Sequence, residues 1–136
     1  MKRWVWIEPH DALFFNARLL ALYGGASGVR DHGLLESALA RAQQRAAYGE
    51  KVDACDLAAV TTAGIIRNHP FVDGNKRTGF LIGVLFLELN GYRFAAPEVE
   101  ATRAVIELAA GVLSESGYAA FLRDNTRRHT GGSRKR

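Results

Sequence analysis

One stretch near the middle of the chain reads His69-Pro70-Phe71-Val72-Asp73-Gly74-Asn75-Lys76-Arg77-Thr78-Gly79. Apolar helical patterns run up to this stretch and away from it. Because proline disfavours the α conformation in the residue before it, the incoming helix is predicted to end at Asn68 or His69. The Asp-Gly-Asn triplet is typical of a turn, so a second helix is predicted to begin at about Asn75. The stretch is therefore a loop that joins two helices.

The start of the second helix has an unusual charge. The first turn of a helix presents unpaired backbone N–H groups and the positive end of the helix dipole. Acidic residues are favoured there, yet Lys76 and Arg77 occupy this turn. A bound anion would relieve the conflict, and an arginine fork suits phosphate oxygens. The sequence therefore predicts a phosphate site formed by Gly74, Asn75, Lys76 and Arg77.

The pattern His-Pro-Phe-x-Asp-Gly-Asn-Lys-Arg resembles the signature of the Fic/Doc family, in its Doc ("death on curing") form. Residues 28–31, 33–39, 67–68 and 90–92 also resemble Doc-type toxins, so the similarity spans roughly residues 29–94. It implies an all-α fold: a six-helix bundle around a central buried helix, with at most a short two-stranded element. It further implies the toxin of a type II toxin–antitoxin system.

The resemblance also implies a reaction, which is transfer of the ATP γ-phosphoryl group to a Ser or Thr hydroxyl of a translation elongation factor. We expect His69 to act as general base and Asp73 to hold Mg²⁺ on the nucleotide phosphates. Gly74 and Asn75 would bind phosphate, and Lys76 and Arg77 would both bind it and stabilise charge on the transferring group. Each residue also has a structural interpretation: His69 as a turn residue, Asp73 and Asn75 as helix caps, and Lys76 as a solvated cation.

Two positions separate this chain from the adenylylating Fic pattern, His-x-Phe-x-Asp/Glu-Gly-Asn-Gly-Arg-x-x-Arg. Lys76 stands at the second glycine and Phe80 at the second arginine, and both differences count against AMP transfer. Leu81 stands where Doc-like helices can carry a polar Asn. Two alternatives therefore stay open: a protein adenylyltransferase with the same site, and a non-catalytic phosphate-binding module of a toxin–antitoxin complex.

Periodicity and capping residues predict the remaining elements. Asp31 and Asp53 are expected to cap the second and third helices, and the fourth helix is apolar nearly all round, which predicts a central, buried position. Val99 and Val112 are expected to point inward from the fifth helix. The other expected elements are a strand at residues 4–7, a first helix ending near residue 23, a strand at residues 92–94 that could pair with residues 4–7, and a last helix at residues 118–127.

The composition describes one globular domain, residues 1–128, followed by a basic tail, residues 129–136, that is expected to be disordered. The chain has 18 basic and 14 acidic residues, but 13 basic residues remain when the five after residue 126 are left out. We therefore interpret the positive charge as that of a solubilising tail rather than as a phosphate-backbone contact, and the resemblance implies that nucleic acid is contacted only through an antitoxin. A single cysteine, no signal peptide and no apolar run of ~20 residues favour a cytoplasmic protein without membrane contact.

Control of the activity is expected to come from a second protein. Related Fic proteins carry an inhibitory helix with the pattern Ser/Thr-x-x-x-Glu-Gly/Asn, and no Glu of this chain precedes Gly or Asn. A cognate antitoxin is therefore expected to act in trans. Its disordered C-terminal segment would fold into an apolar groove beside residues 69–77, where aliphatic side chains of the first or second helix are exposed.

Overall fold

The computed structural model of the chain describes residues 3–48 and 51–129. Within these residues the chain forms six helices and one two-stranded antiparallel sheet. The elements, in order, are α1 (Pro9–Tyr23), α2 (His32–Ala47), α3 (Ala54–Asn68), α4 (Asn75–Leu89), β1 (Tyr92–Phe94), α5 (Glu98–Ala110), α6 (Glu115–Asp124) and β2 (Thr126–Arg128). The expected all-α bundle with a short two-stranded element is confirmed. No helix of this part of the chain is long and apolar enough to cross a membrane.

Helix α3 is the most deeply buried element. It packs against α2, α4, α5 and α6, and 12 of its 15 residues are buried. Glycines let the neighbouring helices approach it closely: a Cβ on Gly64 would lie 3.2 Å from the Cβ of Ala38, and a Cβ on Gly83 would collide with Thr62. Helix α4 lies beside α3 with about half of its residues buried, so the prediction that α4 is the central helix is wrong.

Several helix ends follow the local rules that predicted them. The Asp31 side chain accepts a hydrogen bond from the Leu34 amide at the start of α2, and Asp53 caps α3 in the same way. Helix α3 ends at Asn68, and Gly91 follows α4 with φ 91°. These caps satisfy backbone groups that the helix ends would otherwise leave unpaired.

The N-terminal segment corrects a prediction. Residues 4–7 form no strand, because the side-chain amide of Asn90 takes the place of a neighbouring strand. The Val5 amide donates to Asn90 Oδ1 over 2.8 Å, and Asn90 Nδ2 donates to the Val5 carbonyl over 3.0 Å. Trp4 and Trp6 then pack against Phe86 of α4.

Strand β1 is confirmed, but its partner is at the other end of the chain. Arg93 pairs with Arg127 in the middle of the β1–β2 ribbon, since the last helix ends at Asp124 rather than at residue 127. Val99 and Val112 are 72% and 76% exposed, so their predicted inward orientation is also wrong. The expected disorder concerns residues 129–136, of which 130–136 lie outside the described part.

Candidate functional site

His69 ends α3 in a left-handed backbone conformation, with φ 53° and ψ 54°. Among the described residues, no other non-glycine residue has a positive φ. This conformation costs about 1–2 kcal/mol for an L-residue. Arg30 holds the bend in place: its Nε donates to the His69 carbonyl over 2.8 Å, and its NH2 group donates to the Asn68 carbonyl over 3.0 Å. The bend leaves His69 exposed directly beside the loop that leads to α4.

The loop is anchored from below by Phe71, which is completely buried. The side-chain amide of Asn75 closes a pair of hydrogen bonds on the Phe71 backbone, since Asn75 Oδ1 accepts from its N–H and Asn75 Nδ2 donates to its carbonyl, each over 3.0 Å. Because this amide is occupied, the group of Asn75 that remains for a phosphate is the backbone N–H. The predicted phosphate residue is thus also a structural residue of the loop.

Asn16 supports the loop from α1, and sequence reasoning missed it. It is 3% exposed, and its Nδ2 donates to the Asp73 carbonyl over 3.1 Å and to Thr78 Oγ1 over 3.0 Å. One buried amide therefore joins α1, the loop and the first turn of α4. The available signal was a polar residue among the core positions of an otherwise apolar helix face.

Two glycines leave room around the Asp73 carboxylate. A Cβ on Gly25, in the loop between α1 and α2, would lie 2.6 Å from Asp73 Oδ2, and a Cβ on Gly74 would lie 3.2 Å from a Leu20 methyl carbon. Asp73 Oδ1 accepts a hydrogen bond from the Gly74 amide over 2.8 Å. The Gly25 backbone thus lies close to Oδ2 of the exposed carboxylate, where any side chain at position 25 would collide with it.

This arrangement fits Mg²⁺, which binds proteins through one or two carboxylates and completes its shell with water and phosphate oxygens. The described residues contain no cluster of three or more acidic, histidine or cysteine side chains that would form an all-protein metal cage. Asp73 therefore fits a metal that arrives with a nucleotide.

The first turn of α4 has no side-chain cap and no acidic residue. Gly74, with φ 76°, is its N-cap, and Lys76 and Arg77 are exposed. The Arg77 side chain leaves α4 on its exposed side. Its guanidinium lies over the Tyr23 ring, 4.5 Å from the ring centroid, which fixes the cation at the mouth of the site.

A cavity of about 1020 Å³ connects these residues. It brings together all the predicted site residues, namely His69, Asp73, Gly74, Asn75, Lys76 and Arg77. The opposite side is apolar and includes Phe80 and Leu81 of α4 with Val105 and Ile106 of α5. From α1, Leu19 and Tyr23 line the cavity, and α5 supplies the rest of the apolar wall; the strongly exposed Leu22 of α1 is not among the lining residues.

The comparisons with known proteins agree with this geometry. The family model described as the Fic/DOC family matches residues 6–87. A protein named Protein kinase doc, from Escherichia phage P1, is 34% identical to this chain over 118 residues, which cover 86% of this chain and 92% of that protein. A protein named Toxin Doc, from Mycolicibacterium smegmatis, is 46% identical over 78 residues, which cover 54% of this chain and 58% of that protein.

The family match covers more than half of the chain, and the matched region contains the His69 bend, the Phe71 anchor and the open start of α4. The phage relative extends the similarity over nearly the whole chain. The chain therefore belongs to the Fic/DOC family, as a Doc-type member.

Proposed function

We propose that this chain is the toxin of a toxin–antitoxin pair and transfers the γ-phosphoryl group of ATP to a Ser or Thr hydroxyl of a target protein. The observation that carries the proposal is the open start of α4, where backbone amides, Lys76 and Arg77 face one cavity with His69 and Asp73. The relatives named Protein kinase doc and Toxin Doc support the kinase and toxin parts of the proposal.

In the proposed reaction, His69 accepts the proton of the target hydroxyl as its oxygen forms a bond to the γ-phosphorus. The bond between that phosphorus and the oxygen bridging to the β-phosphate breaks, and ADP leaves with the electron pair. The amides of Gly74 to Lys76 and the side chains of Lys76 and Arg77 stabilise the charge on the phosphoryl oxygens. Mg²⁺, held by Asp73, would neutralise part of the phosphate charge.

Lys76 favours γ-phosphoryl transfer over AMP transfer. It lines the cavity from the first turn of α4, at the position where the adenylylating pattern has a glycine. Phe80 packs against Phe94, with ring centroids 5.8 Å apart, and so gives the cavity wall an apolar surface where a phosphate fork would be needed. These two side chains are the specific observations against the adenylyltransferase alternative.

The proposed target is a translation elongation factor, whose modification would arrest translation and growth. We propose in addition that a cognate antitoxin silences the toxin in trans, with a segment that folds against the apolar wall built by α1, α4 and α5. Ile106, 52% exposed on that wall, is the kind of side chain that such a segment would cover. Binding beside His69 would stabilise the toxin and close its site in one event.

The test uses purified chain, bacterial extract and ATP labelled at either the α- or the γ-phosphate. Label transferred to one protein band from γ-labelled ATP alone, and lost with His69→Ala, is the expected result. Transfer from α-labelled ATP alone would assign adenylyl transfer instead. Absence of transfer from both nucleotides, with folded protein that still arrests growth, would assign the non-catalytic alternative.

A further inference from the structure

The β1–β2 ribbon brings together arginines that are far apart in the sequence, so the composition does not show that their charges are neighbours. Arg93 of β1 lies directly opposite Arg127 of β2. Side chains at directly opposed positions of an antiparallel pair lie about 4.5–5.5 Å apart at their Cβ atoms, and like charges in such a pair are destabilising. Both arginines are exposed, and no described carboxylate forms an ion pair with either of them.

The two faces of the ribbon have different roles. Phe94 of β1 packs edge-on against Phe80 and Phe121, so its face is the inner one. Because successive side chains of a strand alternate between faces, Arg93 and Arg127 form the outer face. The whole outer face of this three-residue ribbon is therefore a pair of arginines.

Neighbouring groups hold the ribbon's cations in fixed positions. Arg128 lies over the Tyr92 ring, 5.4 Å from its centroid, and its NH1 group donates to the Tyr92 hydroxyl over 3.3 Å. Arg93 NH2 donates to Nε2 of His129 over 3.0 Å, and the His129 amide donates to the Gly91 carbonyl over 2.8 Å. These contacts hold the guanidiniums of Arg93 and Arg128, of which Arg93 lies on the outer face with Arg127 and Arg128 lies on the inner face with Tyr92.

We infer that this ribbon is a binding surface for the phosphate backbone of double-stranded nucleic acid. Arginine is the side chain best suited to bidentate contact with phosphate oxygens, and a polyanion would neutralise the opposed pair, whose charge no described carboxylate balances. The chain continues from β2 with further cations, Arg134, Lys135 and Arg136, and has no acidic residue after Asp124. The contact is direct, in contrast to the contact through an antitoxin that composition favoured, and it does not depend on the proposed phosphoryl transfer.

The test is the salt dependence of binding of the full chain to a fluorescent DNA duplex, measured by anisotropy. Each neutralised phosphate contributes about −0.9 to the slope of log K against log salt, so the two arginine contacts of the outer face predict a ribbon contribution of about −1.8, or roughly 12-fold weaker binding for a fourfold rise in salt. Arg93→Gln/Arg127→Gln should reduce the size of this slope by about 1.8. The charge-matched control Arg18→Gln/Arg103→Gln, at exposed positions of α1 and α5, should leave it unchanged.

Thermal unfolding checks that the double variant is folded, and it should melt no lower than the wild type because a like-charge pair has been removed. In a variant with Arg134, Lys135 and Arg136 all changed to Gln, the part of the salt slope that depends on Arg93 and Arg127 should remain. The inference is overturned if the duplex does not bind at low salt, if Arg93→Gln/Arg127→Gln binds as the wild type does, or if the tail variant loses all binding. Stronger binding to polyglutamate than to DNA would assign the surface to an acidic protein and overturn it as well.

Discussion

The N-termini of α3 and α4 solve the same electrostatic problem in opposite ways. At the start of α3, Asp53 and Asp56 each accept a hydrogen bond from the other's backbone amide, over 2.8 and 3.0 Å, and Arg123 binds both carboxylates. The start of α4 has a glycine cap, no acidic residue in its first turn, and two exposed cations. A helix start that serves stability is neutralised by its own chain, whereas a start that opposes its dipole is prepared for an external anion.

The largest expected effect comes from breaking the chemistry beside the α4 start. His69→Ala should lower the rate of phosphoryl transfer by about 10²- to 10⁴-fold, the usual contribution of a positioned base. The exposed His32 of α2 supplies the control, and His32→Ala should keep the wild-type rate. Single-turnover transfer of γ-label measures both variants. Equal transfer rates for His69→Ala and the wild type would show that His69 is not the general base.

The second test adds a side chain at Gly25, next to the Asp73 carboxylate. Gly25→Ala would place a methyl group 2.6 Å from Asp73 Oδ2, so the carboxylate must move. Since a displacement of about 1 Å can lower a rate by about 10²-fold, we expect a loss of that order. Gly24→Ala is a matched control, because Gly24 also has positive φ but its added Cβ would meet no atom within 4 Å. Similar losses in the two variants would assign the effect to backbone strain rather than to Asp73.

A third change weakens the support under the α4 start without touching its charges. Asn16→Ala removes a buried hydrogen bond to Thr78 and a part-buried one to the Asp73 carbonyl. Leaving buried polar groups unsatisfied costs about 1–3 kcal/mol each, so we expect a loss of unfolding free energy in that range and a lower transfer rate. Urea unfolding and γ-label transfer measure the two effects. Full activity with lowered stability would show that the loop keeps its shape without Asn16.

The smallest effect is expected at the α3 start, and it depends on pH. Hydrogen bonds from Arg123 lower the pKa of the Asp53 carboxyl from 3.8 to about 2. A depressed carboxyl pKa stabilises the folded state above pH 3.8, and this contribution is lost as the pH falls toward 2. Because the ion pair is half-exposed, Arg123→Gln should cost no more than about 1 kcal/mol at neutral pH. The difference from wild type should shrink in urea titrations at falling pH, and transfer activity should be unchanged.

The same contrast explains what could be predicted from the sequence. Rules that act within a few residues placed the end of α3 before Pro70, the caps Asp31 and Asp53, and the Gly74 turn. Features that depend on distant partners were missed: Asn16 acts on residues about sixty positions away, and β2 forms because β1 is next to it. The predicted inward orientation of Val99 failed for the same reason, since it depends on which side of α5 the bundle covers, and that of Val112 failed because α5 ends at Ala110. The candidate site residues Lys76 and Arg77 stand out in the sequence because they break a local rule, the preference for acidic residues in the first turn of a helix.

The measurement that tests the central claim most directly is a titration of the His69→Ala chain with MgATP, followed by backbone amide resonances. We expect this variant to bind the nucleotide without consuming it, because the change removes the proposed base and none of the proposed phosphate contacts. The amides of Gly74, Asn75 and Lys76 should shift together with saturation, while those of Ala54 and Asp56 at the start of α3 should stay in place. Saturable binding that leaves the Gly74 to Lys76 amides unmoved would contradict the assignment of the α4 start as the nucleotide phosphate site.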